Sequence, residues 1–241
     1  MRIDKYLVKF LNVESRSKAQ QLIESGCVSV DDITVYHKRY DVKEGSSVVV
    51  KKADTYVSRG AYKMLGAVVS FQLDFNNKVV LDVGSSTGGF TQIALLNGAK
   101  HVYCVDVGKD QLHKSLRNND KVTVYEETNL KDMRNKMFKS KINIILADLS
   151  FISCTALLDK IASLFKYKVQ LVLLIKPQFE LPRDVIKKYN GIIKLYPLHR
   201  RVVNNVADYA RKLGFKIINI VKSPIEGKDG NTEFFAYMEW K

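Results

Sequence analysis

No apolar run in the chain approaches the roughly 20 residues that cross a bilayer as a helix; the longest lies near Val169 to Ile175. The N-terminus opens with Arg2, Asp4 and Lys5 and carries no apolar leader, so a soluble, cytoplasmic protein without a membrane partner is expected. Cysteine is scarce: Cys27, Cys104 and Cys154 are odd in number, far apart and set in apolar segments. That pattern argues against a disulfide framework and fits small buried side chains in a reducing compartment. The four histidines, His37, His101, His113 and His199, lack ligand spacing, so no metal site is expected. Internal repeats and low-complexity segments are also missing, which excludes a solenoid.

Acidic charge is the other shortage. Twenty-five Asp and Glu face 39 Lys and Arg, a net +14, which favours a polyanionic partner such as a nucleic acid. The excess is uneven: residues 1–57 hold 10 basic and 8 acidic residues, leaving 29 and 17 for the remainder. An RNA surface would therefore have to involve the larger C-terminal part as well.

The apolar pattern predicts two domains, 1–50 and 58–241, joined by a charged linker at 51–57. In the first, helices are expected at Ile3 to Leu11 and Ser17 to Ser25, with strands at Val28 to Val30, Ile33 to Val35 and Val48 to Val50. Ser15 or Ser17 is a plausible N-cap, and Gly26 fits the end of the second helix. Arg2, Asp4, Ser15-Arg16-Ser17, Ala19, Ile23, Gly26, Val28, Val30 and Gly45 together resemble the S4 RNA-binding domain. That resemblance implies that Arg2, Lys5, Arg16 and Lys18 present positive charge to structured RNA, although such residues also form ordinary solvated faces.

An amphipathic helix follows at Ala61 to Phe71, and then apolar strands alternate with helical stretches. Strands are expected at Val79 to Val83, His101 to Val105, Val122 to Tyr125, Ile142 to Ala147, Val169 to Ile175, Lys216 to Val221 and Phe234 to Glu239. The expected fold is α/β: a Rossmann-like, doubly wound, mostly parallel seven-stranded sheet ending in an antiparallel hairpin, preceded by the small α+β domain.

The run Asp82-Val83-Gly84-Ser85-Ser86-Thr87-Gly88-Gly89-Phe90 passes from a buried strand through a glycine-rich turn into a helix. Gly84 and Gly88 would let the backbone turn tightly and come close to a ligand. Asp106 ends the next strand, about 20 residues on, where Rossmann-type folds place a carboxylate on ribose hydroxyls. The glycines do not follow G-x-G-x-x-G. Asp82 would repel a pyrophosphate but suits a cation, so S-adenosylmethionine is the expected cofactor, with Asp82 toward its methionine end. A loop that merely joins strand to helix is the plain alternative.

Asp148, Lys176 and Glu233 stand at strand ends, and Lys63 lies on the helix before the sheet. The segments around them, Val57-Ser58-Arg59-Gly60-Ala61-Tyr62-Lys63, Asp82 to Thr91, Val105 to Gly108, Asp148 to Ser153, Lys176 to Glu180 and Gly230 to Phe234, resemble the TlyA (haemolysin A) family over essentially the whole chain. The family joins an S4 domain to an FtsJ-like methyltransferase. Membership implies S-adenosylmethionine-dependent 2'-O-methylation of cytidine in ribosomal RNA or ribosomal subunits. It also implies a catalytic tetrad of Lys63, Asp148, Lys176 and Glu233. Arg59 and Tyr62 join the expected RNA-binding set, and Tyr62 and Phe151 could each stack on a flipped base. Leu181-Pro182-Arg183 and Asn190 to Lys194 depart from the family pattern, within a loop that could handle RNA.

The chemistry fits those residue types. A ribose hydroxyl must lose its proton as it attacks a sulfonium methyl group, and Lys176 is the expected general base, with Lys63 as the alternative. An ordinary lysine is protonated at neutral pH; burial and a neighbouring cation work against that proton, and two carboxylates work for it. No metal is required, because the leaving group is a neutral thioether. The competing readings are an RNA-binding ribosome-assembly factor without catalysis, a membrane-active haemolysin, and methylation of a base.

Overall fold

The computed structural model describes residues 1–24, 26–50, 56–150, 152–227 and 229–241. Most of the expected linker, 51–55, the last residue of the second expected helix, Ser25, and the expected stacking residue Phe151 lie outside the described residues. The chain divides into two units, Met1–Tyr62 and Lys63–Lys241.

In the first unit α1 (Ile3–Phe10) and α2 (Arg16–Glu24) pack with a sheet of β1 (Val28–Val30), β2 (Ile33–Thr34) and β3 (Val48–Val50), in the order β2-β1-β3, all antiparallel. Ile3 and Leu7 on α1, and Ala19 and Ile23 on α2, recur at helical spacing and meet Val28 and Val30 in one small core. The Ser15 hydroxyl accepts the Lys18 N–H at 3.1 Å and so caps α2. β1 and β2 are joined by Asp31-Asp32, both at positive φ, as a two-residue hairpin with right-handed strand twist requires.

The second unit is built on a seven-stranded sheet. Its strands are β4 (Val79–Val83), β5 (His101–Val105), β6 (Val122–Tyr125), β7 (Ile144–Ala147), β8 (Val169–Ile175), β9 (Phe215–Lys222) and β10 (Phe234–Trp240), in the order β6-β5-β4-β7-β8-β10-β9. β4 to β8 are parallel; β10 runs antiparallel between β8 and β9. The helices are α3 (Arg59–Phe71), which begins in the first unit, α4 (Gly89–Leu96), α5 (Lys114–Arg117), α6 (Cys154–Leu164), α7 (Pro177–Glu180), α8 (Arg183–Lys188) and α9 (Tyr196–Leu213). The central strands are buried along their whole length, as continuous apolar runs in a sheet covered on both faces should be. Cys27, Cys104 and Cys154 are all buried and none is in a disulfide.

Two expectations are corrected. β7 starts at Ile144 and not at Ile142; at its entrance the Asn143 side chain accepts the Val79 N–H at 2.8 Å while the Asn143 backbone bonds Val79 and Gln170. The segment expected as a loop at 181–195 contains α8. Pro182 fixes φ at the N-cap, Asp184 lies in the first turn, and Lys187 and Lys188 lie in the last, so the sequence carries both helix-end signals.

Candidate active site

Parallel strands β4, β5 and β7 end on one edge of the sheet, where open α/β sheets gather ligand-binding loops. A cavity of about 300 Å³ opens there, lined by Val83, Gly84, Ser86, Val105, Asp106, Val107, Thr128, Leu130, Asp148, Leu149, Ser150 and Ile152. Asp106 ties the two loops together: Oδ2 accepts the Ser86 N–H at 2.8 Å and Oδ1 the Gly108 N–H at 2.7 Å. Behind it, Glu126 accepts the N–H groups of Asp110, Gln111 and Leu112 and a hydrogen bond from Arg117. The Arg117 bond leads these in holding its carboxyl at about 2, against the effect of burial.

The glycines have a more local cause than ligand approach. A Cβ on Gly84, at φ +80°, would lie 2.5 Å from the backbone oxygen of Asp148. One on Gly88, at φ +96°, would meet Leu112 and Leu116 at 2.7 and 2.3 Å. These glycines let neighbouring strand ends and α5 close against the turn. Of the residues expected around the cofactor, Gly84, Ser86 and Asp106 line the cavity. Ser85, Thr87, Gly88 and Gly89 shape the turn, and the Phe90 ring packs on Phe235, 5.9 Å between centroids.

Asp82 sits behind the wall, 1% exposed. Its Oδ2 accepts from the Thr91 hydroxyl at 2.6 Å, while its buried Oδ1 has no partner among the described residues. Burial, opposed by Thr91 and reinforced by the charges of Asp148 and Asp106, raises its carboxyl to about 7. The cavity thus has two carboxylates on its wall, a third behind it with an open oxygen, and no basic side chain in its lining. In a chain of net charge +14, that charge pattern suits a cation better than a polyphosphate.

The catalytic candidates meet beside this cavity. Because β10 pairs with β8 in the register Phe234↔Ile175, Glu233 and Lys176 are neighbours across the strand ends. Lys176 Nζ lies 2.5 Å from Asp148 Oδ1 and donates to the Ser150 hydroxyl at 3.2 Å. From α3, Lys63 Nζ donates to Glu233 Oε2 at 2.5 Å. Both lysines and Glu233 are under 10% exposed. Burial raises the Glu233 carboxyl; Lys63 and Lys176 pull it down and Asp148 pushes it up, so all four groups share one electrostatic neighbourhood.

Three supports were not singled out in the sequence. Ser150 touches Lys176 and lines the cavity. Glu180, four residues after Lys176, accepts from the Ser153 hydroxyl and the Cys154 N–H, clasping the lysine segment to the start of α6. Asn231, two residues before Glu233, is 2% exposed; its side chain accepts the Ile193 N–H and donates to the Gly191 carbonyl. Their strand-end positions were the available signal. Of the expected RNA-binding residues, Lys5 and Lys18 are exposed on α1 and α2, and Arg2 and Arg16 flank Asp4. Arg59 lies 5.5 Å from the centre of the Tyr36 ring, and the Tyr62 ring packs edge-on against Tyr36 and Tyr56. Among the described residues no group of His, Cys, Asp and Glu could hold a metal ion, and no helix is long and apolar enough to cross a membrane.

Residues 1–48 match the S4 domain and residues 56–240 the FtsJ-like methyltransferase family. The chain is 41% identical to hemolysin A of Brachyspira hyodysenteriae over 98% of its own length and 99% of that protein. It is 35% identical to the 16S/23S rRNA (cytidine-2'-O)-methyltransferase TlyA of Mycobacterium tuberculosis, over 98% of this chain and 89% of the relative. A solved structure from Streptococcus thermophilus superposes with a TM-score of 0.76 at 34% identity, covering 99% of this chain and 88% of that one. An acidic cavity beside two lysine–carboxylate pairs, carried on a chain that matches these relatives from end to end, makes this protein a member of the TlyA (haemolysin A) family of FtsJ-like methyltransferases with an S4 domain.

Proposed function

We propose that the chain transfers a methyl group from S-adenosylmethionine to the 2'-oxygen of a cytidine in ribosomal RNA, in the cytoplasm, with Lys176 as general base. One observation carries the reading: Asp148 lines the cavity, and its side chain holds Lys176 at 2.5 Å. Cofactor site and proton acceptor are therefore contiguous. When bound, S-adenosylmethionine supplies an electrophilic methyl group and leaves as a neutral thioether.

The chain's own residues do the rest. Gly84, Ser86 and Asp106 form the wall against which the nucleoside part rests, with Asp106 placed for ribose hydroxyls. Asp82 and Asp148 set a negative potential that favours a cation. Lys176 lies 2.5 Å from Asp148, and a general base takes the proton of the ribose hydroxyl only as the neutral amine. Asp148 and Ser150 fix the amine's position throughout, and Lys63–Glu233 supplies a second buried charge pair that keeps the cluster neutral. A placed base of this kind contributes about 10² to 10⁴ in rate.

The test is transfer of labelled methyl from S-adenosylmethionine to separated, unmodified ribosomal subunits, followed by alkaline hydrolysis of the RNA. A 2'-O-methyl group removes the nucleophile that cleaves the chain, so a gap next to a cytidine is expected. An uninterrupted ladder with the label recovered on a base would overturn the ribose assignment, and no transfer to either subunit would favour the assembly factor.

A further inference from the structure

In the N-terminal unit a single carboxylate organises the cations that the S4 reading assigns to RNA. Asp4 lies on α1 and is fully buried. Its Oδ1 accepts from Arg2 Nε at 3.0 Å; its Oδ2 accepts from Arg2 Nη2 at 2.9 Å, Arg16 Nη2 at 2.9 Å and Gln20 Nε2 at 3.2 Å. Arg2 precedes α1, and Arg16 opens α2. Asp4 is thus the point at which two helix starts, 12 residues apart in sequence, are brought together.

The geometry fixes more than proximity. The two Nη2 atoms are each 2.9 Å from the same oxygen, so they stand at most 5.8 Å apart. Like charges at that distance repel unless an anion lies between them. Of the five N–H donors on each guanidinium, two from Arg2 and one from Arg16 go to Asp4, and among the described residues no other acceptor takes the remainder. The carboxylate is hidden while the Arg2 and Arg16 side chains are 35% and 52% exposed. Arg2 is held along its Nε–Nη2 edge and Arg16 by one Nη2 contact, so both partly exposed forks keep donors for an outside acceptor. A planar fork already fixed along one edge loses little freedom on meeting an oxyanion along the other.

We propose that Asp4, Arg2 and Arg16 form a built phosphate clamp, in which Asp4 is the positioning residue and the two guanidiniums together grip one backbone phosphate of the RNA. The proposal rests on the reading of this unit as RNA-binding and adds to it the pairing of these two arginines on one phosphate and a positioning role for an acidic residue. It also makes a prediction whose sign is unusual. Replacing Asp4 by Asn removes a negative charge, so on bulk electrostatics alone the variant should bind a polyanion more tightly. If Asp4 positions the forks, binding should weaken, because an amide cannot accept from three cationic and amide donors at once and presents its own N–H groups to them.

The experiment uses the full-length chain and unmodified ribosomal RNA as the probe, across a range of salt concentrations, with thermal unfolding to confirm that each variant is folded. D4N is expected to bind RNA about tenfold more weakly, with a shallower salt dependence, a raised KM for RNA and a nearly unchanged kcat. In an R2A/R16A background, the same Asp4 change should have almost no further effect. Should D4N fail to fold, Asp4→Glu keeps the charge, displaces both forks and should also weaken binding. Tighter or unchanged binding by folded D4N or D4E, or an Asp4 effect that persists without the arginines, would overturn the clamp. If R2A/R16A itself binds RNA normally, the RNA-binding reading of these arginines fails, and the clamp with it.

Discussion

Each unit of this chain buries a carboxylate against cations, and the outcomes are opposite. In the N-terminal unit burial alone would push the Asp4 carboxyl up, yet hydrogen bonds from Arg16, Arg2 and Gln20 outweigh it and leave the group at about 2. In the catalytic unit Glu233 has Lys63 at 2.5 Å and is nevertheless raised above its ordinary value, because burial outweighs the pair. The difference lies in solvation. The guanidiniums beside Asp4 are 35% and 52% exposed, whereas the side chains of Lys63 and Lys176 are 10% and 11% exposed. Exposed forks around a hidden acid suit binding an outside anion; buried lysines paired with carboxylates suit chemistry kept away from bulk water.

The sharpest way to break this contrast is to remove a cation from the catalytic cluster. Lys176→Ala should lower the single-turnover rate by about 10² to 10⁴ while S-adenosylmethionine affinity stays within about twofold. A near-normal rate at saturating RNA would make Lys176 a binding residue like Arg16, with Lys63 the better base.

Removing an acid tests the same point through stability. Glu233→Gln leaves Lys63 buried without its counter-charge and should cost about 3 kcal/mol in a denaturant titration. An unchanged midpoint would show that the pair is solvated.

Asp82 tests the comparison through pH. Because its carboxyl is raised to about 7 from 3.8, the folded chain binds a proton that the unfolded chain releases between these values. Its contribution makes stability fall as pH rises from about 4 to 7, and Asp82→Asn should remove that decline. Asp4 works with the opposite sign: lowered to about 2, it adds stability above pH 3.8 that is lost as pH falls toward 2. Unfolding curves of the two variants across pH should diverge accordingly, and parallel curves would contradict the comparison.

Much of this was legible in the residues, since a buried strand in a covered sheet is a continuous apolar run; the bounds of β4, β5, β6 and β8 follow directly from such runs. What stayed hidden depended on contacts between distant segments. Nothing local says that the Asn143 side chain accepts the Val79 N–H, or that Gly88 admits Leu112 and Leu116. The strand ends bearing Asp148, Lys176 and Glu233 could be read, but not the partner each charge would take. Lys63 and Glu233 are 170 positions apart, and their meeting depends on β10 inserting between β8 and β9. Asp4 drew attention only as part of a pattern, because an acid among basic residues gives no local sign that it gathers them.

The account's central claim is the division of labour between the two units, and one fragment tests it most directly. Residues 51–241 keep the whole cavity lining and the four charged residues beside it, and lose Asp4, Arg2 and Arg16. Calorimetry with S-adenosylmethionine and salt-dependent binding of unmodified ribosomal RNA should be measured on this fragment, after its unfolding transition shows it to be folded. The expected result is cofactor affinity within about twofold of the full chain, with RNA affinity reduced about tenfold or more and a shallower salt dependence. A folded fragment that no longer binds the cofactor, or one that holds RNA as tightly as the full chain, would contradict it.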